Sequence, residues 1–321
     1  MSAGAPVVVP VNLGCCASLP RCLLCPPAPV EPGPDLVDAL VGHYRTERTE
    51  PGRDLRVGFF GGAPPSDALL DAIAGVPFTV RVRPDLLTRA ALERLVTRGV
   101  SAVELDALTL DDAVLQGTGR AYRGRWVLAQ IDAIRAAGVR VGAVLSPGLP
   151  GSSHADAVHD SEVLAPLIDF ARLHPVLVLQ RAGLRAAHMD GRYTPLTLGQ
   201  AVTTCRAMLE RLEADGVEVV RVGQNPGPDG LGRAVAGPMH PSLRQLVQAR
   251  QVIADLHALM PALDADRVQI RCNPADETHT RGPRNQHLRD LRAAHGLREV
   301  RVVPDPTLAR GALRLEPLEG A

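Results

Sequence analysis

An α/β fold built on a parallel sheet is predicted by three features of this 321-residue sequence. Short runs of Val, Leu and Phe alternate with segments of helical periodicity. The runs show little polar alternation. Gly or Pro punctuates the connections between them. Strands that read as near-continuous apolar runs belong to sheets covered by helices, so the strands run parallel. Repeated β–α units close as a doubly wound sheet or as a full or partial barrel. Both place chemistry at the C-terminal ends of the strands.

Taken in order, Val7–Val11 is a strand, and a Pro-rich loop, Pro26–Pro34, leads to a helix over Asp35–Tyr44. Leu55–Phe60 is a strand ending in Gly61-Gly62, Ser66–Ala74 a helix and Phe78–Val82 a strand. Arg89–Thr97 sets Leu92, Leu95 and Val96 on one helical face. Ala102–Leu105 is a strand, and Arg125–Ala137 a helix stopped by Gly138. The strand Val139–Leu145 runs into Pro147–Gly151. Then come a helix over Ser161–Leu173, a strand over Val176–Leu179, a helix over Gln200–Asp215 and a strand over Val217–Val222. Beyond about residue 240 the pattern changes to Ser242–Leu259 helix, Arg267–Arg271 strand, Asn285–Ala294 helix and Val300–Val303 strand. The chain therefore divides into a core, 1–240, and a small C-terminal α/β extension, 241–321.

Composition narrows the chemistry. Hydrophobic residues make up 45% and charged residues 22%, which suits a packed globule. Aromatics are only 2%, too few for a nucleic-acid stacking platform. The 35 basic residues are all Arg and balance 35 acidic ones, so no chain-wide field attracts phosphate backbones. With no Lys, a Schiff-base lysine and a P-loop lysine are both excluded. Pro6–Pro10 reads as a strand rather than a signal segment, and no run reaches the roughly 18 apolar residues of a membrane span. A cytoplasmic location is expected. There, clustered cysteines point to metal or redox chemistry rather than disulfides.

Such a cluster follows the first strand: Cys15, Cys16, Cys22 and Cys25, the last two as a C-x-x-C pair. Loop thiolates suit soft metals, with an Fe–S cluster favoured over Zn. Adjacent residues such as Cys15 and Cys16 diverge, so three ligands are the natural count. Cys205 and Cys272 stand alone on apolar elements and are structural. Gly61-Gly62, Arg83-Pro84-Asp85 and Pro147–Gly151 sit at other strand ends, on the same expected face. His240 reads as a structural loop residue. His154, His159 and Asp160 read as a solvated loop and helix start, with Ser152 or Ser153 as cap. Arg120, Arg123 and Arg125, near Tyr122 and Trp126, are the best local site for phosphate or RNA. The competing reading is a solvated face with Trp126 in the core. Gly227–Gly232 is a plain loop. Substrate-facing residues are expected near Val176–Arg181 and Arg221–Asn225.

Several collinear motifs carry a family resemblance. Val8–Cys25 resembles the opening of radical S-adenosylmethionine (radical SAM) proteins of the Elongator-catalytic-subunit-like group, related to oxygen-independent coproporphyrinogen oxidases. Phe59–Gly62 is similar to that group's FFGG segment, Arg81–Asp85 to its RxSTRPD segment and Val103–Leu105 to its VEL segment. Gly119-Arg120 falls at its Gly-Arg, Pro147–Gly151 matches its PGLPG, Ala236–Pro241 its AGPxHP, and Asp305–Gly311 its DPSLxRG.

The resemblance implies a partial (β/α) TIM-like barrel of the radical SAM type with a small C-terminal appendage. It implies a [4Fe–4S] cluster held by three of Cys15, Cys16, Cys22 and Cys25, and S-adenosylmethionine near Gly61, Gly62, Glu104, Arg120, Pro147 and Gly148. Arg120 would pair with the cofactor's carboxylate, and Glu104 would face cofactor or substrate. A 5′-deoxyadenosyl radical would act on a substrate the sequence does not name. The electron would come from a donor such as flavodoxin or ferredoxin. The chain also departs from the pattern. Five residues separate Cys16 from Cys22 where the group has three, Leu24 replaces an aromatic, and GVQS becomes Asp106–Thr109. A catalytically degenerate binding or assembly protein, or an RNA-modifying factor, are the alternatives.

Overall fold

The computed structural model describes residues 6–14, 22–25, 31–48, 53–224, 234–263 and 265–318. They fall into two compact units, Met1–Pro241 and Ser242–Ala321.

The first unit opens with β1 (Val7–Asn12), α1 (Pro34–His43), β2 (Leu55–Phe60), α2 (Asp67–Ala72), β3 (Phe78–Val82) and α3 (Arg89–Thr97). It continues through β4 (Val100–Leu108), α4 (Asp112–Gly117), α5 (Gly124–Ala136), β5 (Arg140–Leu145), α6 (His154–Leu164) and β6 (Phe170–Leu173). Then follow β7 (Val178–Leu179), α7 (Leu184–Met189), α8 (Leu198–Ala214), β8 (Glu218–Val222) and β9 (Ala234–Ala236). Seven strands form one sheet in the order β1-β2-β3-β4-β5-β6-β8, every pair parallel. A doubly wound sheet reverses its strand order at a switch point, and this one does not. Right-handed crossovers then lay the helices on one side, and the sheet curls into a partial barrel.

Register separates two faces. Phe59 pairs with Val80, Val80 with Val103 and Val103 with Val141, and all four are fully buried. That row packs under helices whose buried residues include Leu95 on α3 and Ile131 and Ile134 on α5. Burial of each such side chain contributes about 1.5–3 kcal/mol. The opposite, inner row reads Phe60, Arg81, Glu104 and Gly142, with Arg172 beside Arg221. Helix starts are set by side-chain caps. Thr88 Oγ1 accepts from Ala91 N at 3.1 Å, and Asp111 Oδ1 from Val114 N at 2.9 Å. Ser153 with Asp156, and Thr197 with Gln200, form full capping boxes.

Three expectations are corrected. The helix expected over Ser161–Leu173 begins at His154 and stops at a 3₁₀ turn, Ala165–Leu167. Pro166 in that turn has no N–H to continue the ladder, and Phe170–Leu173 becomes a strand of the barrel. Val176–Leu179, expected as a further parallel strand, contributes only Val178–Leu179, which pairs antiparallel with β9. Val96, expected to share the inward face of α3, is exposed.

The second unit comprises α9 (Leu243–Leu259), β10 (Arg267–Cys272), α10 (Glu277–Arg281), α11 (Gln286–His295), β11 (Glu299–Pro304) and β12 (Leu313–Pro317). Its sheet has the order β11-β10-β12, with β10 parallel to β11 and antiparallel to β12. Leu256, Val268, Ile270 and Leu291 form its core. The Asp305–Gly311 motif is structural here: buried Asp276 accepts from Arg310 Nε and from Gly311 N, both at 2.7 Å. Among the described residues, no helix is long and apolar enough to cross a membrane.

Candidate functional site

The motifs Gly61-Gly62, Arg83–Asp85 and Pro147–Gly151 follow the C-terminal ends of β2, β3 and β5. After β1, Leu13 N donates to Phe60 O at 2.8 Å, drawing the two strand exits together. A Cβ on Gly61 would lie 2.6 Å from Leu13 Cβ and 3.0 Å from Leu13 O, so the approach requires glycine. Gly62 O accepts from Arg83 N at 2.9 Å. Arg83 is buried and donates through Nε and Nη2 to Asp85 at 2.9 and 2.6 Å, a bidentate pair that closes the turn after β3. After β5, Pro147 O accepts from Val176 N at 3.0 Å and Gly148 O from the Tyr193 hydroxyl at 2.7 Å. Gly148 has φ +88°, and a Cβ there would meet Leu196 at 2.8 Å.

Two cysteines meet at this end. Leu23 N donates to Thr118 O at 3.0 Å, and Leu184 N to Leu23 O at 2.8 Å, which pins the Cys22–Cys25 turn. Cys22 is buried, and its Sγ accepts from Leu24 N at 3.4 Å. A hydrogen bond with Cys25, aided by the Arg120 charge and opposed by burial, brings the Cys22 thiol down to about 6. Near neutral pH it is therefore a thiolate, the form that ligates soft metals. Burial instead pushes Cys205 up to about 12, and Cys272 also upward, in keeping with structural roles. Cys15 and Cys16 lie outside the described residues, as do Gly227–Gly232 and Asn225. Among the described residues no group of three or more His, Cys, Asp or Glu is placed to hold a metal.

Arg120 is engaged from within the protein. The pairing of β4 with β5 shifts register between Leu105 and Leu108, and Leu108 adopts φ +65°. Beside this irregularity Asp106 Oδ2 lies 2.7 Å from Nη2 of Arg120, whose side chain is buried. The buried Tyr122 hydroxyl donates to Asp106 O at 2.7 Å, and the guanidinium lies 5.8 Å from the Tyr122 ring centroid. Arg123 and Arg125 are exposed, so the basic cluster expected with Arg120 is divided. Trp126, which the solvated-face reading placed in the core, is exposed.

Glu104 lies on the inner row. Its Oε1 accepts from Arg172 Nε at 2.6 Å and its Oε2 from Arg81 Nε at 2.8 Å. Both guanidiniums stack on Phe60, at 5.8 and 5.4 Å from the ring centroid. His174 follows β6. Its Nε2 is buried with no hydrogen-bond partner among the described residues. Burial and the charges of Arg81, Arg172 and Arg221 hold the imidazole neutral. Arg172 and His174 were missed from sequence. The only signal was a charged residue inside the apolar run Phe170–Leu173. Asp160, expected in a solvated loop, is buried and accepts from Leu110 N at 2.9 Å, and burial raises its carboxyl. His154 Nδ1 meets Thr204 Oγ1 at 2.9 Å, and His159 is exposed.

Residues 168–253 match the family model described as the Radical_SAM C-terminal domain. A tRNA uridine(34) acetyltransferase of Dehalococcoides mccartyi (strain CBDB1) is 26% identical over 181 residues, 54% of this chain and 39% of that protein. The match thus spans well under half of that curated relative. The archaeal Methanocaldococcus infernus Elp3 with an N-terminal deletion superposes with a TM-score of 0.60 at 18% identity, over 78% of this chain and 63% of that one. Streptococcus suis SuiB bound to S-adenosylmethionine gives a TM-score of 0.52 at 12% identity, over 68% and 51%. The resemblance to radical SAM proteins is borne out, and the fold is the partial barrel of that type.

Proposed function

We propose, from this fold and family resemblance, that the chain is a radical SAM enzyme acting on a substrate still to be identified. The observation that carries the reading is the Cys22–Cys25 pair, one thiol held as thiolate, beside Arg120 and Asp106 at the end of β4. That donor set fits an Fe–S cluster, with Cys22 and Cys25 as two ligands and Cys15 or Cys16 as the third. When bound, such a cluster supplies one electron for the reductive cleavage of S-adenosylmethionine to a 5′-deoxyadenosyl radical. The chain's own residues hold and orient. The glycine at 61 admits the close approach of Leu13 that joins the exits of β1 and β2, and the loop Pro147–Gly151 is locked through Tyr193. The hydrogen bond with Cys25, with the Arg120 charge assisting, keeps Cys22 charged, while Asp106 fixes the guanidinium of Arg120. Anaerobically reconstituted chain, reduced in the presence of S-adenosylmethionine, should release 5′-deoxyadenosine. A reconstituted cluster that yields none would rule out the enzymatic reading.

A catalytically degenerate relative is the second reading. It is favoured by the ion pairs that already engage Arg120 and Glu104. Stoichiometric zinc without iron in protein purified without oxygen would support it. A third reading, an RNA-modifying factor, draws on the acetyltransferase relative. Filter binding to tRNA at two salt concentrations tests it, because a phosphate footprint must weaken with salt.

A further inference from the structure

The inner face of the sheet gathers arginine charge at the ends of β6 and β8. Arg81, Arg172 and Arg221 bring three guanidiniums, and Glu104 contributes one carboxylate, shared between Arg81 and Arg172. Arg172 and Arg221 are register partners on adjacent strands, so their side chains leave the sheet on the same side. Among the described residues Arg221 Nε donates to the nearby Gly223 O, at 3.2 Å, and the residue is exposed. The charges that act on Arg221 and on His174 are those of the neighbouring arginines. His174, at the end of β6, holds its Nε2 buried with no hydrogen-bond partner among the described residues. A buried polar atom of this kind costs free energy unless a partner arrives. Packing like charges around it is unfavourable until an anion joins them.

We infer that Arg172, Arg221 and His174 form a binding site for an oxyanion, a carboxylate or phosphate group of the substrate, on the inner face of the barrel. Phe60 lies against the guanidinium of Arg172, with Arg81 on the same ring, which helps hold Arg172 for recognition of an oxyanion. The neutral imidazole adds one hydrogen bond without adding charge. Glu104 keeps Arg81 and Arg172 in place, and it rejects a second anion from their far side.

That the oxyanion belongs to the substrate rests on the proposed function. The binding itself does not. Calorimetric titration of the full chain with inorganic phosphate and, separately, with succinate, at constant ionic strength in chloride, tests it. One of the two should bind saturably, one per chain, and the preferred probe distinguishes phosphoryl from carboxylate. Arg221→Gln should weaken that binding at least about tenfold, the worth of one charge-assisted hydrogen bond. Arg89→Gln, on an exposed helix face, should leave it unchanged. If Arg221→Gln does not fold, Arg172→Gln replaces it with the same expectation. Absence of saturable binding by either anion, or wild-type affinity in the folded variant, overturns the inference. Anion binding by a chain that releases no 5′-deoxyadenosine would leave this site standing and remove the radical reading alone.

Discussion

Removing Asp106 should expose how much the site depends on its internal ion pair. The Arg120 side chain is about 1% exposed and Asp106 16%, with 2.7 Å between them. Breaking a buried pair by deleting one partner typically costs about 3–5 kcal/mol, because the surviving charge stays buried without its counter-ion. The partial exposure of Asp106 puts Asp106→Ala at the low end, about 3 kcal/mol. With a urea slope of about 3 kcal/mol/M for a unit of this size, the midpoint should fall by about 1 M. Trp126 is the single tryptophan and lies in the first unit, so its fluorescence reports that unit's unfolding. Arg120→Met should cost a similar amount. The double variant should cost clearly less than the sum, because it leaves no buried charge behind. An Asp106→Ala loss under about 0.5 kcal/mol, or strict additivity in the cycle, would refute the claim that this pair is a buried, mutually dependent unit.

Other outcomes follow from the same geometry. Cys22→Ser and Cys25→Ser should each lose most of the reconstituted iron while keeping the wild-type circular dichroism, whereas Cys205→Ala should keep its iron. Gly61→Ala forces a Cβ to 2.6 Å from Leu13 and should cost about 1–3 kcal/mol in urea unfolding, more than alanine at the open Gly75 adds through its positive φ alone. Asp160 has a carboxyl raised by burial, so the folded chain binds that proton more tightly than the unfolded chain. The stability this group contributes is present at low pH and is lost as pH rises through the raised folded-state value. Asp160→Asn should therefore melt higher than wild type at pH 8, with the gap closing as pH falls toward 4.

The alternation of strand and helix was legible because buried parallel strands are written as short runs without polar residues, as in Val57–Phe59 and Val141–Leu145. The reading failed where a strand is short and a helix ends without glycine. Phe170–Leu173 looked like the tail of a helix because only Pro166 marks the break. The sequence motifs marked the right strand ends, since Gly61, Arg83 and Gly148 each meet a local steric or hydrogen-bonding demand. Partnerships across long separations were not legible. Asp106 meets Arg120 beside a register shift in β4, and Cys22 reaches Arg120 because Leu23 hydrogen-bonds to Thr118. Arg172 and His174 gained meaning only when register set them on the inner face with Glu104 and Arg221.

The central claim is that Cys22 and Cys25 hold an Fe–S cluster with an open iron. Electron paramagnetic resonance of the anaerobically purified, dithionite-reduced chain tests it most directly, with iron counted in the same sample. The account predicts about four irons per chain and a reduced-cluster signal that changes shape when S-adenosylmethionine is added. Both features should be missing in Cys22→Ser. Stoichiometric zinc with no cluster signal, or a signal indifferent both to S-adenosylmethionine and to the loss of Cys22, would contradict it.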